Sequence, residues 1–301
     1  MRLTLLGTGC PAVSTRRYGA AQLAEYGETK LLIDCGSGVT QRLAEAGVRV
    51  AAIDALLVTH FHSDHVVDLW QVLVSGWHQG RKQPLRVIAP PGFARHVAAL
   101  EKAWEPERAQ RLAFERRPNP DGFAFAAEEI AAGSRIVIGG IEVEAVPVDH
   151  RPVEPAHGYV LRAGGLVTAL SGDTRPCAAL VEAARGCDLL VHEVFAHEAM
   201  PPVPGVRDAA TIAAVASYHT LSSDVGEVAG AAGARLLALT HIVPPDADPH
   251  LLLADARRHY AGPILVGEDL LAIDVARATA SWRGLAVALA HLGPGPGLAK
   301  V

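Results

Sequence analysis

The chain has 301 residues, half of them apolar, so it can bury a large core and fits one extended α/β domain. Its formal charge of −5, with 27 Lys and Arg against 32 Asp and Glu, argues against a dedicated polyanion binder, which would carry a basic field. No apolar run approaches the ~20 residues of a membrane-spanning helix, no cleavable leader precedes the first apolar run, and four cysteines without Cys-x-x-Cys spacing suit reduced thiols, so the expected setting is the cytoplasm.

In chain order, residues 3–6 form a first strand that ends on the turn Gly7-Thr8-Gly9-Cys10-Pro11, and residues 30–34 form another that ends on Asp34-Cys35-Gly36. The run Ala55-Leu56-Leu57-Val58 leads into Thr59-His60-Phe61-His62-Ser63-Asp64-His65, which packs four potential metal ligands into six residues. Alternate side chains of an extended segment share a face, so His60 and His62 can aim at one ion. Asp64 and His65 follow on the turn and can address a second. Imidazole and carboxylate together suit zinc, iron or manganese.

One cluster cannot fill two coordination spheres, and later strands end on further ligand types. Residues 143–148 alternate toward Asp149-His150, residues 166–170 lead to Asp173, and residues 236–239 lead to Thr240-His241. Between them lie Ala-rich helical stretches, 178–185 and 224–232, the second with Ser222, Ser223 and Asp224 available to cap it. The basic residues Arg108, Arg111, Arg116 and Arg117 are interleaved with Glu101, Glu105, Glu107 and Glu115, the pattern of a salt-bridged, solvated helix face. Residues 281–292 are expected to add a short helix and residues 293–301 a Gly/Pro-rich tail, so that 1–280 form one main domain and 281–301 a C-terminal helix and tail.

These residues resemble the metallo-β-lactamase superfamily of binuclear metallohydrolases, over Met1 to about Asp274. The resemblance implies a four-layer αββα sandwich with two mixed sheets face to face and the metals at one edge. It implies that His60, His62 and His150 bind one divalent ion, zinc being expected, with Mn2+ or iron as alternatives. Asp64, His65 and His241 would bind the other, and Asp173 would bridge the two. The segments Leu5-Leu6-Gly7-Thr8-Gly9-Cys10-Pro11, Leu31-Leu32-Ile33-Asp34-Cys35-Gly36, Val191-His192-Glu193 and Tyr218-His219-Thr220-Leu221-Ser222 are similar to the ribonuclease Z-like branch. That branch includes tRNA 3′-processing endonucleases, phosphodiesterases and arylsulfatase-type hydrolases.

In that pattern Asp34 orients a ligating histidine, His219 protonates the leaving group, Asp64 helps hold the attacking hydroxide, and His192 with Glu193 buttresses His219 or a ligand. His157, Trp77 and Arg207 are candidate substrate contacts, the last two lying in the variable stretches 70–83 and 200–207. His78 and His197 read as surface or rim residues. Only residues 151–172 separate His150 from Asp173, so the long arm with which tRNA-processing relatives clasp their substrate is missing.

The expectation is therefore a binuclear hydrolase in which a metal-bridging hydroxide attacks a small phosphodiester, sulfate ester, or related ester or lactone. tRNA 3′-end cleavage is the alternative, and a non-catalytic metal-binding protein on the same fold the second. The expected partners are a small ester substrate, tRNA less readily, no membrane, and a second copy in a homodimer.

Overall fold

The computed structural model describes residues 1–289. The chain first lays down β1 (Arg2–Gly7), β2 (Ala21–Tyr26), β3 (Thr29–Ile33), β4 (Ala55–Leu57), β5 (Leu85–Ala89) and β6 (Phe125–Glu129). It then forms a second sheet from β7 (Arg135–Ile138), β8 (Ile141–Pro147), β9 (His157–Ala163), β10 (Leu166–Leu170), β11 (Leu189–Phe195), β12 (Leu237–Val243) and β13 (Ile264–Val266). Finally β14 (Leu271–Asp274), β15 (Thr279–Trp282) and β16 (Leu285–Ala288) return to the first sheet beside β1. Among the described residues the sheets have nine strands in the order β16-β15-β14-β1-β2-β3-β4-β5-β6 and seven in the order β13-β12-β11-β10-β9-β8-β7. Both are mixed: β1 to β3 pair antiparallel, β3 to β6 parallel, and β10 to β13 parallel.

The helices are α1 (Val39–Glu45), α2 (Ser63–Val66), α3 (Leu69–His78), α4 (Phe93–Glu115), α5 (Ala178–Ala183), α6 (Ala209–Ala216), α7 (Val225–Ala232) and α8 (Pro249–Arg257). Strand alternation decides the layers. Leu3, Leu5, Leu31, Ile33 and Leu57 meet Val143, Tyr159, Leu161 and Val191 between the sheets. The opposite faces, Leu32 and Leu56 on one sheet and Leu190 and Val194 on the other, pack against α1 and α3 and against α7 and α8. This is the expected αββα sandwich. No described helix is long and apolar enough to cross a membrane.

Two expectations fail here. Over residues 281–289 the chain is not helical: Trp282 and Leu285 close a hairpin around Arg283 and Gly284, whose φ values of 48° and 81° suit a tight two-residue turn. The tail 293–301 lies outside the described residues. Trp77 is not a substrate contact, because it points into the sandwich, fully buried, stacks on Phe123 with ring centroids 4.4 Å apart and donates from Nε1 to the Asn119 carbonyl at 3.0 Å. An aromatic side chain packed in this way is worth about 3–5 kcal/mol on truncation. The basic stretch behaves as read: Arg111 bridges Glu107 and Glu115 at 2.7 and 2.9 Å along exposed α4.

Candidate metal centre

The site lies where strand ends of both sheets meet. His60, His62, Asp64 and His65 follow β4, His150 follows β8, Asp173 follows β10 and His241 belongs to β12. His241 reaches the site through an irregularity in the pairing: Glu193 faces Thr240 and Val194 faces Ile242, so His241 is the unpaired extra residue, with φ 41°. Asp34, just past β3, also has a left-handed φ of 58°. Non-glycine residues in that region cost of order 1–3 kcal/mol and persist where the surroundings over-determine them. Gly36 permits the approach of α2, since a Cβ there would lie 2.4 Å from the Asp64 carbonyl oxygen.

The side chains form two groups around Asp173. His60, His62, His150 and Asp173 bring one ligand atom each within 4.8 Å of one another, and so do Asp64, His65 and His241. Asp173 Oδ2 lies 3.8 Å from His60 Nε2, 3.9 Å from His150 Nε2, and 3.3 Å from both His65 Nε2 and His241 Nε2. His241 Nε2 is also 3.2 Å from Asp64 Oδ2. Burial alone would raise the Asp173 pKa, but His241, His65 and His60 hold it well below the carboxylate range. Burial likewise pulls His65 down, but Asp173 and Asp34 outweigh it and leave its pKa well above that of free imidazole.

The far sides of the rings explain why they point inward. His65 Nδ1 donates to Asp34 Oδ2 at 2.7 Å, and that carboxylate also accepts from the Thr59 hydroxyl and backbone N–H, each at 2.8 Å. His60 Nδ1 donates to the Thr59 hydroxyl at 3.0 Å, and His150 Nδ1 donates to the Tyr218 carbonyl at 2.9 Å. In the neutral form of each ring the contact places the proton on Nδ1 and turns the Nε2 lone pair toward Asp173. His60 Nε2, His65 Nε2 and Asp173 Oδ1 are nonetheless buried and without a hydrogen-bond partner. Orphaned polar atoms of this kind are costly in a dry site, and converging nitrogen and oxygen lone pairs fit divalent cations.

His219 stands beside this cluster. Its Nδ1 donates to Glu193 Oε1 at 2.9 Å, and the same oxygen accepts from the Thr174 N–H at 2.9 Å. Burial lowers its pKa, yet Glu193 outweighs burial and raises it to about 9. His192, expected to pair with Glu193, is separated from it by strand alternation. It is fully buried and donates from Nδ1 to the Glu193 backbone carbonyl at 2.8 Å instead. His157 is 2% exposed, lines no part of the cleft, and has its pKa lowered to about 4 by burial. Arg207 donates to the Pro201 carbonyl at 3.0 Å and is likewise not brought to the cleft.

The cleft itself holds about 320 Å³ and is lined by His62, Asp64, Asp173, His219 and His241 together with Met200, Val215, Tyr218 and Val243. Thr59, Tyr218 and these apolar residues escape a sequence reading because none carries ligand chemistry. Thr59 and Tyr218 lay within motifs singled out, and Met200 within the variable stretch 200–207, but only as neighbours of the ligand-type residues.

Comparison with known proteins agrees with this geometry. The family model described as "Anti-Pycsar protein Apyc1" matches residues 1–202. Ribonuclease Z of Mycobacterium bovis BCG is 35% identical over 283 residues, covering 91% of this chain and 98% of the relative. Among solved structures, the metallo-beta-lactamase fold protein YhfI from Bacillus subtilis superposes with a TM-score of 0.68 at 18% identity, over 90% of this chain and 98% of that one. Human short-form tRNase Z does so at 0.66 and 20%, over 91% and 99%. The chain therefore belongs to the ribonuclease Z-like branch of the metallo-β-lactamase superfamily, a group of metal-dependent hydrolases, and to the family of the Anti-Pycsar protein Apyc1.

Proposed function

We propose that the chain is a binuclear phosphodiesterase, with His60, His62 and His150 holding one divalent cation, Asp64, His65 and His241 the other, and Asp173 shared. Zinc is the proposed metal. Such a pair supplies an activated water at neutral pH and neutralises charge on the phosphoryl oxygens. The chain's residues do the rest. His219, held by Glu193 through Nδ1, presents Nε2 to the cleft as an imidazolium and gives its proton to the departing ester oxygen as the phosphorus–oxygen bond breaks. Asp64 holds the incoming water in line. The observation that carries this reading is the buried Glu193–His219 pair beside the Asp173 cluster, because proton donation is what an alkoxide leaving group requires.

The preferred substrate is compact. Among the described residues no lysine or arginine lines the cleft, whereas a polyanion is held chiefly by such contacts. A second reading, tRNA 3′-end cleavage, is favoured by the mycobacterial relatives. Their alignment covers 98% of the relative and 91% of this chain, leaving no room for a long inserted arm in a protein named ribonuclease Z. The missing arm therefore carries little weight against tRNA.

Metal-loaded protein assayed with bis(p-nitrophenyl) phosphate, an aryl sulfate, a lactone and a precursor tRNA tests both readings, with Asp173→Ala as blank. Diester turnover lost in that variant and after chelation is the expected result. Cutting of the tRNA without turnover of small diesters would move the second reading into first place. Bound metal with no turnover of any substrate would leave a non-catalytic metal-binding protein. Light scattering of the same sample tests the homodimer proposed from the branch.

A further inference from the structure

Behind the metal cluster lies a small internal space of about 20 Å³, where a single water needs about 10–15 Å³. Both sheets contribute to it: Gln22, Asp34 and Thr59 come from the first, and Asp173, Glu193 and Thr240 from the second. Leu170 and Val191 close it off from the core between the sheets. Asp173 and His241 line both this space and the cleft, whereas His219 lines only the cleft and Glu193 only this space.

Several polar groups on its wall are already satisfied. Asp34 accepts from Thr59 and His65, and Ser171 Oγ donates to the Gly172 carbonyl at 2.6 Å and accepts from the Glu193 N–H at 3.0 Å. Four atoms of the lining residues are not: Asp173 Oδ1, Glu193 Oε2, Thr240 Oγ1 and His241 Nδ1 are each buried without a hydrogen-bond partner. Strand pairing gathers them, since Glu193 of β11 faces Thr240 of β12 and His241 follows directly. Each carboxylate is used through one oxygen. Glu193 Oε1 accepts from His219 Nδ1 and the Thr174 N–H, and Asp173 Oδ2 sits among the Nε2 atoms of four histidines, which leaves Oε2 and Oδ1 over.

The four atoms form a balanced set. A hydroxyl donates, and a neutral imidazole that turns Nε2 toward a cation carries its proton on Nδ1, so there are two donors and two acceptors. A water accepts twice and donates twice. A carboxylate oxygen left unpaired in a dry interior costs the desolvation of a charged group, and buried waters sit where about three such groups converge.

We propose that this space holds one ordered water, which accepts from Thr240 Oγ1 and His241 Nδ1 and donates to Glu193 Oε2 and Asp173 Oδ1. The water gives His241 the support from behind that Asp34, Thr59 and the Tyr218 carbonyl give to His65, His60 and His150. It also joins the carboxylate that holds His219 to the carboxylate common to both ligand groups. Thr240 is thereby a positioning residue for His219, acting through the water and Glu193. Such a water is enclosed as the sheets close over it, so no open path from the cleft is required. Its placement stands apart from the activity, and its kinetic consequence rests on the phosphodiesterase reading above.

High-resolution crystal structures of the metal-loaded parent, Thr240→Val and Thr240→Ser test the site. Valine keeps the shape of threonine without its hydroxyl, and serine keeps the hydroxyl. The expected density is a single peak within hydrogen-bond distance of all four atoms, retained in Thr240→Ser and lost in Thr240→Val. The same proteins are assayed on dithymidine monophosphate, whose leaving group is an alkoxide, and on bis(p-nitrophenyl) phosphate. In Thr240→Val kcat on the first should fall about tenfold with KM unchanged, recovering in Thr240→Ser, while kcat on the second changes little. No peak in the parent, a peak touching only one of the two carboxylates, or a cation ringed by about six oxygens would overturn the water site. A peak that persists in Thr240→Val, or a loss of kcat that is equal on both substrates or absent from both, would overturn the role of Thr240. If the parent turns over neither diester, the phosphodiesterase reading falls and the kinetic role of Thr240 with it, while the densities still decide the water.

Discussion

Around the cluster three of the inward-facing rings are tied down behind: Asp34, Thr59 and the Tyr218 carbonyl hold His65, His60 and His150. Along the rest of the cleft, α6 has no buried residue, and Met200, Ile212 and Val215 are only partly covered by Cys10, Phe195 and Val243. The contrast separates two demands. Chemistry needs side chains held to a fraction of an ångström, which strand ends and buried hydrogen bonds provide. Recognition tolerates a looser apolar surface that can differ between relatives without disturbing the ligands.

The comparison can be broken most severely at its centre. Asp173→Ala should lower kcat/KM at least about a thousandfold, with metal content measured alongside; activity within tenfold of the parent would remove Asp173 from the site. His219→Ala should cost about 10²–10⁴-fold in kcat on an alkyl phosphodiester and much less with p-nitrophenolate, which departs without a proton. Equal losses on both substrates would make His219 structural. In the parent the rate should fall on the alkaline side as the imidazolium loses its proton. Glu193 raises that loss to about 9 and bound divalent cations would lower it, so the limb should vanish in His219→Gln.

A milder break is expected behind the ligands. Asp34→Asn should weaken metal binding about 10–100-fold, read by competition with a chromogenic chelator. The smallest effect belongs to the loose wall. Met200→Ala and Val215→Ala should change KM within about tenfold and leave kcat nearly untouched, so a large loss of kcat would end the division of labour drawn here.

The clustering of these His and Asp residues was largely legible because each lies at or just beyond the end of a strand whose apolar run is plain, as with Ala55-Leu56-Leu57-Val58 before Thr59 and His60. The rest depended on geometry that composition does not record. The hairpin at Thr279–Trp282 and Leu285–Ala288 was hidden because Ala and Leu read as helix, while Arg283-Gly284 is a weak form of a two-residue turn signal. Trp77 and His78 are neighbours on α3, yet the helical period buries the first and half-exposes the second, which borders Glu115 at 3.8 Å. Asp224 precedes α7 without a side-chain cap: Ser223 donates to it, and Ser222 donates instead to Asp255 of α8 at 2.6 Å.

Each group of ligands draws members from both sheets, with residues 60–65 beyond β4 on one side and His150, Asp173 and His241 on the other. Cations held there would rivet the two halves of the sandwich along a single edge. At a free concentration a thousand times the dissociation constant, one such ion adds about 4 kcal/mol to folding, comparable to a long-range disulfide in a chain whose four cysteines are all free. Starvation for metal would then do more than silence the site. It would loosen one seam of the sandwich and expose the idle protein to proteolysis, so that its abundance as well as its activity would follow metal supply.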